Sequence, residues 1–487
     1  MNSFYIKTNR VFTPIRKYGW IFTLLVAIGG LWYPKLGLLV LPVMLTLTIL
    51  SFFKGRYWCG NFCPHGSLFD SLLSPISRNN KIPKFFQSKV FGILFFAFFI
   101  ANIIRKILKV SVLYGSMLFW DKLGFIFVAS YLMVTIVGGT LSILISQRTW
   151  CNFCPMGVMQ RLSYKLGKFL RANKRTDQKI TSASKDMCHI CGKCSRVCPM
   201  QLTPYLEFTD KNQFDSEKCL RCSTCVVNCP AGILSLNTVK KAKAVFEETN
   251  LEGYENRQKI KAKIIGLLDL NNGIRQYTFQ FIEPRIVEYK AGQFILVKIQ
   301  ENPKMYRAYS ISSFNEDGTE LSITIKKDPK GYGTDLIFNQ FKMDDMVELE
   351  GPMGAELVVD KSAEKLVFVA GGIGITPFLP MVQDVLNDEN QNKKVTLIYG
   401  VNKEDEFLYH DELKALDLQS DQLEYKQVVA SDDNWKGKKG FVTDVLKEMN
   451  LDGHKIYLCG PKPMIQPTVK QLAKQGVKEE DIKYESA

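Results

Sequence analysis

The chain has 487 residues, which is too long for one ordinary hydrophobic core and predicts about three domains. Its net charge is +15, and the basic excess is confined to residues 1–175, which hold 22 Lys or Arg and only two acids. Because long apolar runs lie in the same region, the charge indicates an anionic membrane surface and argues against a nucleic-acid partner.

Four apolar segments predict an α-helical membrane domain over residues 1–175, with spans near residues 18–33, 36–53, 88–104 and 122–147. The first two are shorter than the ~20 residues that cross a bilayer comfortably, so one kinked element is the alternative to two spans. Lys and Arg precede the first span and fill the second connection, which predicts a multi-pass protein of the inner, cytoplasmic membrane with its cofactor domains on the cytoplasmic face. Arg105, Lys106 and Lys109 on the outer side count against this orientation.

A cysteine motif is repeated at the ends of the second and fourth predicted spans. Residues 56–66 read RYWCGNFCPHG and residues 148–157 read RTWCNFCPMG. Deleting Gly60 aligns Arg, Trp, Cys, Asn, Phe, Cys, Pro and Gly, which predicts a duplicated domain with pseudo-twofold symmetry and both motifs on one face. The Pro after the second cysteine suits the first turn of a helix, where free N–H groups favour a thiolate.

The cysteines of this motif are Cys59, Cys63, Cys151 and Cys154. If they converge, they could hold a further iron-sulfur cluster or a single metal ion, act as redox-active thiols or a disulfide, or serve a purely structural role. The spacing does not decide among these three alternatives.

A second cysteine pattern is far more specific. Residues 188–199 read C-x2-C-x2-C-x3-C-P, and the same spacing returns 31 residues later in residues 219–230. In such repeats the first three thiolates bind one [4Fe-4S] cluster and the fourth binds the other. The predicted quartets are Cys188, Cys191, Cys194 and Cys229 for one cluster and Cys219, Cys222, Cys225 and Cys198 for the other. Zinc is the alternative, but it has no use for two interlocked quartets that each end in Cys-Pro.

Residues 183–236 resemble bacterial ferredoxins with two [4Fe-4S] clusters, which implies a small α+β domain. Together with the repeated motif, they resemble the membrane iron-sulfur proteins of periplasmic nitrate reductase maturation and the nitrous oxide reductase regulators. Those proteins carry paired Cys-x3-Cys-Pro motifs before a two-cluster segment. The second copy here is Cys-x2-Cys-Pro and departs from that pattern.

From about Lys259 the sequence alternates in strand fashion between Gly and Asn-Gly turns, which predicts a small antiparallel β-barrel. A buried-strand run then enters GGIGITP at residues 371–377, a glycine turn into a helix that could receive a pyrophosphate. Together with RAYS at 307–310, GYGT at 331–334 and a strand that ends in Cys-Gly-Pro at 459–461, these elements resemble the ferredoxin-NADP reductase superfamily.

That resemblance implies a flavin-binding β-barrel at residues 254–360 and an α/β NAD(P)-binding domain at residues 361–487. It implies that the flavin, FAD or alternatively FMN, is bound by Arg307, Tyr309, Ser310, Gly331 and Thr334. It implies that the nicotinamide nucleotide is bound by Gly372, Gly374, Thr376, Gly460 and Pro461. The implied catalytic residues are Tyr309, Ser310, Cys459 and Glu485. For Cys459, a buried structural thiol at a strand end is an equal alternative.

The order of modules predicts an NAD(P)H-dependent oxidoreductase, because a flavin accepts a hydride and releases the single electrons that iron-sulfur clusters carry. NAD is favoured over NADP, since the stretch after Gly400 offers Lys403 but also Glu404 and Asp405. Candidate partners are the lipid bilayer, a soluble ferredoxin, a quinone and membrane redox subunits. The alternatives are an electron-transfer or maturation subunit of a larger membrane complex, and ferredoxin-driven NAD reduction.

Overall fold

Apolar helices and cysteine motifs occupy the first half of the chain, and β-sheets occupy the second. The computed structural model describes residues 4–271, 273–313, 315, 317–388 and 393–486. These residues form two units, one that ends at Thr249 and one that begins at Asn250.

Three helical stretches of the first unit are long and apolar enough to cross a membrane. They are Pro34–Lys54, Lys89–Ser111 and Met117–Leu144. They coincide with the second, third and fourth predicted spans.

The first predicted span, residues 18–33, does not form one long helix. The chain there is divided into α1 (Pro14–Tyr18), α2 (Trp20–Ala27) and a 3-10 turn (Gly29–Leu31). Close packing accounts for the end of the helix, because a Cβ added at Gly30 would lie 2.5 Å from Val128 Cγ2. Four separate spans are therefore not observed among the described residues.

The other α-helices of the first unit follow in chain order. They are α3 (Val40–Lys54), α4 (Tyr57–Asn61), α5 (Pro64–Ser67), α6 (Lys84–Gln87), α7 (Lys89–Ser111), α8 (Met117–Met133), α9 (Gly139–Leu144), α10 (Pro155–Phe169), α11 (Lys193–Arg196), α12 (Thr224–Val227) and α13 (Val239–Glu248). Helix α10 packs against α3 and α7. This packing brings the helix after the second cysteine motif against the helix before the first.

A two-stranded antiparallel sheet frames the denser cysteine repeat, with β1 (Lys179–Ser182) paired to β2 (Leu234–Asn237). Between these strands, α11 begins after Gly192 and α12 begins after Ser223. Both residues have left-handed backbone conformations, with φ of 67° and 57°. The same turn into a short helix is thus repeated at the spacing of the cysteine motif, in a small α+β arrangement.

The second unit begins with an antiparallel sheet. Its strands are β3 (Gln258–Asn271), β4 (Ile274–Glu283), β5 (Phe294–Gln300), β6 (Met305–Ser310), β7 (Glu320–Lys326) and β8 (Met346–Met353), in the order β6-β5-β8-β3-β4-β7. Ile311, directly after β6, forms an antiparallel bridge with Ile323 of β7, so the two edge strands approach each other. Closure into a barrel stays a prediction. Helix α14 (Tyr332–Gln340) follows β7.

A parallel sheet completes the second unit. Its strands are β9 (Lys365–Gly371), β10 (Lys394–Val401), β11 (Leu423–Val429), β12 (Lys438–Lys439), β13 (His454–Gly460) and β14 (Ile482–Ser486), in the order β12-β11-β10-β9-β13-β14. The connecting helices are α15 (Phe378–Leu386), α16 (His410–Gln419), α17 (Val442–Lys447) and α18 (Lys462–Lys474).

Strand β9 lies between β10 and β13 and is buried on both faces. Leu366, Phe368 and Ala370 belong to one apolar core, and Val367 and Val369 belong to the other. Because the neighbours of β9 in the sheet come from opposite directions of the chain, the strand order reverses at its carboxyl end. Such a reversal leaves a crevice in which parallel sheets bind ligands.

Candidate functional site

Two small cavities in the first unit gather eight cysteines into two sets of four. Each cavity has a volume of about 20 Å³. One is lined by Cys188, Cys191, Cys194 and Cys229, and the other by Cys198, Cys219, Cys222 and Cys225. These are the two interlocked sets predicted from the spacing. Among the described residues, no three His, Cys, Asp or Glu side chains are arranged to hold a single metal ion.

Backbone N–H groups face the sulfurs of these two sets. The Arg221 N–H donates to Cys219 Sγ at 3.5 Å, and the N–H groups of Met200 and Leu202 face Cys198. N–H···S contacts stabilise thiolate ligands and are one of the factors that set the potential of a cluster. The donor sets therefore fit two [4Fe-4S] clusters, each held by cysteines from both halves of the repeat.

The four cysteines of the membrane motif converge on a third cavity of the first unit. It has a volume of about 110 Å³ and is lined by Cys59, Cys63, Cys151 and Cys154. Cys63 precedes Pro64 of α5, and Cys154 precedes Pro155 of α10, so each is the N-cap of a helix. The two copies of the motif thus face each other, as the repeat predicted.

Two arginines cross between the copies of this motif. Arg56 Nη2 donates to the Cys151 carbonyl at 2.9 Å and lies 3.7 Å from Cys59 Sγ. Arg148 Nη1 donates to the Cys59 carbonyl at 3.4 Å and lies 3.5 Å from Cys151 Sγ. Each guanidinium therefore contacts the first cysteine of its own copy and the first cysteine of the other.

The glycine that ends each copy makes room for the arginine of the other. A Cβ added at Gly66 would lie 2.5 Å from Arg148 Nη1, and one added at Gly157 would lie 2.8 Å from Arg56 Nη2. The alignment of the two copies contains both Arg and Gly, and that was the signal available in the sequence. Its meaning, a reciprocal contact, is visible only once the copies are packed together.

A buried carboxylate, which sequence reasoning missed, neutralises Arg148. Asp70 accepts hydrogen bonds from Arg148 Nη2 at 2.6 Å, from Arg148 Nε at 3.1 Å and from Arg16 Nη2 at 2.7 Å. Burial alone would raise the pKa of Asp70, but Arg148 and then Arg16 lower it to about 2. The available signal was that Asp70 is one of only two acids among residues 1–175.

Arg56, in contrast, has no carboxylate partner among the described residues. Its side chain is buried, with 1 % of its surface exposed, and its Nε and Nη1 atoms make no hydrogen bond there. A buried donor without an acceptor is costly, so such groups commonly face a bound group. An iron-sulfur cluster held by four thiolates is anionic and has sulfide acceptors, so the membrane cysteines and Arg56 together fit a further cluster.

The membrane cysteines lie beside one of the two ferredoxin-like sets. A Cβ added at Gly60 would lie 2.1 Å from the Leu220 carbonyl oxygen and 3.2 Å from Cys222 Cβ. Cys59, Cys151 and Cys222 also belong to one apolar core. The structure therefore brings the membrane cavity next to the set that contains Cys198 and Cys222.

In the second unit, the residues predicted to bind the flavin lie at two adjoining places. Arg307, Tyr309 and Ser310 are on β6, whereas Gly331 and Thr334 are at the start of α14. A Cβ added at Gly333 would lie 2.6 Å from Arg307 Nε, so the guanidinium packs directly against this helix start. A guanidinium beside the N-terminus of a nine-residue helix is a suitable place for a phosphate.

A cavity of about 640 Å³ opens at the carboxyl ends of the parallel strands, which is a typical size for a cofactor site. Its wall includes Gly372 of the predicted glycine turn and Pro461, the N-cap of α18. Gly372 has φ of +55° and faces open space, so the turn leaves the backbone accessible. Gly374 and Thr376 continue the same turn, and Gly460 ends β13.

Glu406 and Phe441 line the β10 and β11 side of this cavity and were not predicted as site residues. Glu406 Oε2 accepts from the Asn402 backbone N–H at 3.2 Å and from Asn402 Nδ2 at 3.4 Å, which holds its carboxylate in place. Phe441 is 66 % exposed, which is unusual for so large an apolar side chain. Of the predicted acids, Glu404 and Asp405 do not line the cavity.

Cys459 and Glu485 are neighbours across two parallel strands. They are directly paired in the register of β13 and β14. Cys459 is buried, and Glu485 is half-buried. Burial, and to a smaller extent the charge of Glu356, raises the pKa of Glu485 to about 7. A carboxyl group that titrates near neutrality beside the nucleotide cavity is suited to a proton-handling role.

Four family profiles match the chain. A 4Fe-4S binding domain matches twice, at residues 36–83 and 125–174, and a 4Fe-4S dicluster domain matches residues 187–233. An oxidoreductase FAD-binding domain matches residues 261–356, and an oxidoreductase NAD-binding domain matches residues 368–470. The chain therefore joins iron-sulfur domains to an FAD- and NAD-binding module of the ferredoxin-reductase type. The double match also shows that residues 1–175 contain a duplication.

Characterised relatives are electron-transfer components. The toluate 1,2-dioxygenase electron transfer component of Pseudomonas putida is 32 % identical over 40 % of this chain and 57 % of its own length. The phenol 2-monooxygenase reductase component of Pseudomonas sp. (strain CF600) is 31 % identical over 45 % and 63 %. A component of the Na(+)-translocating NADH-quinone reductase of Marinomonas sp. (strain MWYL1) is 31 % identical over 36 % and 47 %. The chain thus spans less than two thirds of each relative.

Proposed function

We propose that this chain oxidises a nicotinamide nucleotide and passes the electrons singly through its iron-sulfur sites to an acceptor at a membrane. In the overall reaction, NAD(P)H loses two electrons and one proton to become NAD(P)⁺, and two one-electron acceptors are reduced. A bound flavin supplies the conversion of a hydride into single electrons. The observation that carries the proposal is the convergence of four cysteines beside the set that contains Cys198 and Cys222.

The residues of the second unit bind and orient in this proposal. Arg307 and the start of α14 bind the flavin phosphate, and Tyr309 and Ser310 flank the flavin ring. The glycine turn around Gly372 seats the pyrophosphate of the nucleotide. Cys459 and Glu485 lie at the nicotinamide end, because β13 and β10 flank β9 on opposite sides.

The three long apolar helices support a location in a membrane. We infer a multi-pass protein similar to the membrane iron-sulfur proteins of nitrate reductase maturation, in which the membrane cysteines hold the last cluster before the acceptor. A quinone or a membrane redox subunit is an acceptor of suitable chemistry. The reductase components among the relatives support a direction of electron flow that starts at NAD(P)H.

The test uses the full chain purified in detergent without oxygen. Addition of NADH is expected to bleach the flavin absorbance first and then the iron-sulfur absorbance, with no partner protein present. Dithionite serves as the control, because it reduces flavin and clusters whether or not a nucleotide site exists. If dithionite bleaches the sample and neither NADH nor NADPH does, the chain does not oxidise these nucleotides and the proposal fails.

NADH is expected to be the preferred substrate because of Glu406. The carboxylate of Glu406 lies on the β10 side of the cavity, where it can accept hydrogen bonds from ribose hydroxyls and would repel a 2′-phosphate. The substitution Glu406→Gln is expected to raise kcat/KM for NADPH about tenfold, which corresponds to ~1.4 kcal/mol, and to lower kcat/KM for NADH. Steady-state ferricyanide reduction with each nucleotide measures both constants.

Glu404→Gln is the matched control for this prediction, because Glu404 is exposed and does not line the cavity. It removes the same charge from the same turn and is expected to leave the ratio of the two constants unchanged. If both variants shift the ratio equally, the effect comes from overall charge near the cavity and not from the position of Glu406.

A further inference from the structure

Arginine side chains are concentrated in the interior of the first unit, around the membrane cysteines. Four of them are 4 % exposed or less: Arg10, Arg16, Arg56 and Arg148. Asp70 is the carboxylate that pairs with two of these arginines. Buried charges of one sign are strongly unfavourable in a low-dielectric interior unless an opposite charge lies close by. The arrangement therefore calls for a bound anion in addition to Asp70.

The two crossed arginines differ in how their charge is balanced. Arg148 shares Asp70 through two hydrogen bonds, at 2.6 and 3.1 Å. Arg56 contacts no carboxylate among the described residues, and the charges that reach it are those of Cys59, Cys151 and Cys154. Two copies of one motif thus place a neutralised guanidinium on one side of the cavity and an uncompensated one on the other.

We propose that Arg56 is a positioning residue that makes the cluster at the membrane cysteines easier to reduce. This inference rests on the proposed function, in which those cysteines hold an iron-sulfur cluster. Each electron that enters the site adds one negative charge within a few ångströms of the Arg56 guanidinium. The attraction between unlike charges is large where water is excluded, and net charge and hydrogen bonds are the main factors that set the potential of a cluster.

The electron balance of this step is simple. One electron leaves the reduced cluster of the set that contains Cys198 and Cys222, which becomes oxidised, and the same electron reduces the membrane site. No bond forms or breaks, and no proton is required, because the positive charge of Arg56 balances part of the added negative charge. A higher potential at the membrane site makes the transfer toward the membrane favourable.

The experiment is a potentiometric titration of the purified full chain, read by EPR. The membrane signal is defined as the one lost in the double variant Cys59→Ser, Cys151→Ser. That comparison tests whether the site holds a cluster at all, so a failure of the proposed function is seen separately from a failure of this inference. Arg56→Gln removes the charge, Arg56→Lys keeps it, and the exposed Arg78→Gln is the matched control.

Arg56→Gln is expected to lower the ratio of reduced to oxidised membrane cluster about tenfold at a fixed potential, which is ~59 mV for a one-electron couple. Arg56→Lys and Arg78→Gln are expected to titrate like the natural chain. If Arg56→Gln keeps its iron and its potential, the proposal is wrong. If both Arg56 variants lose the iron of this site, Arg56 holds the cluster structurally and the proposal is also wrong.

Discussion

The double variant Cys59→Ser, Cys151→Ser is expected to lose the iron of one cluster and to retain that of the other two. Both thiols lie in the cavity of the first unit, and each is approached by a buried guanidinium, Cys59 by Arg56 and Cys151 by Arg148. Serine preserves the size of the side chain but is a poor ligand for iron. Because the eight cysteines of the other two sets are untouched, their clusters should assemble normally.

Electron delivery should change along with the iron content. Reduction of a short-chain quinone by NADH in detergent is expected to fall by about 10- to 100-fold, the usual range for the loss of a metal site component. Reduction of ferricyanide, which can take electrons directly from the flavin, should be unaffected. The comparison of the two acceptors separates a loss of the membrane site from a loss of nucleotide oxidation.

Cys459→Ser controls for the iron measurement, because Cys459 is a buried cysteine of the second unit that lines none of the three cysteine cavities. It should leave the iron content unchanged. An unchanged iron content in a folded double variant would exclude a cluster at the membrane cysteines and would leave the thiol or structural alternatives.

The cysteine sets could be predicted from sequence because their ligands are encoded locally. Three thiolates that bind one cluster lie within seven residues of one another, as Cys188, Cys191 and Cys194 do, so the spacing itself carries the geometry. The fourth ligand follows from the repeat. The same reasoning extends to the membrane motif, where the repeat correctly predicted that both copies face each other.

The charges around the membrane site could not be predicted in the same way. Asp70 and Arg148 are separated by 78 residues, and Arg56 reaches a carbonyl 95 residues away. Such pairs depend on how α5 and α10 pack, and neither hydrophobic periodicity nor residue spacing describes that packing. The repeat identified the arginines as equivalent, but only the contacts show that one is neutralised and the other is not.

Short-range geometry accounts for the misplaced specificity residues. The sequence offered three consecutive acids, Glu404, Asp405 and Glu406, after the strand that ends at Val401. These acids form one 3-10 turn, which points successive side chains in different directions. Which acid enters the cavity is decided by that turn and by the hydrogen bonds from Asn402, so composition alone could not distinguish Glu406 from its neighbours.

Asp70→Asn is expected to destabilise the first unit by about 3–5 kcal/mol, the usual cost of removing one partner from a buried ion pair. The side chain of Asp70 has no exposed surface, and it accepts three hydrogen bonds from Arg16 and Arg148. Asparagine has nearly the same shape, so the loss comes from leaving two buried guanidinium groups without their carboxylate. Thermal unfolding in detergent, followed by tryptophan fluorescence, measures the change.

Asp121→Asn is the matched control, because Asp121 is the other acid among residues 1–175 and makes no ion pair with any described residue. Its effect on stability should stay within about 0.5 kcal/mol. The same Asp70 variant also removes a negative charge near the membrane cysteines, so any protein that still holds its cluster should be easier to reduce, the opposite of Arg56→Gln. A stable Asp70→Asn chain with an unchanged potential would show that the buried carboxylate neither supports the fold nor sets the charge at this site.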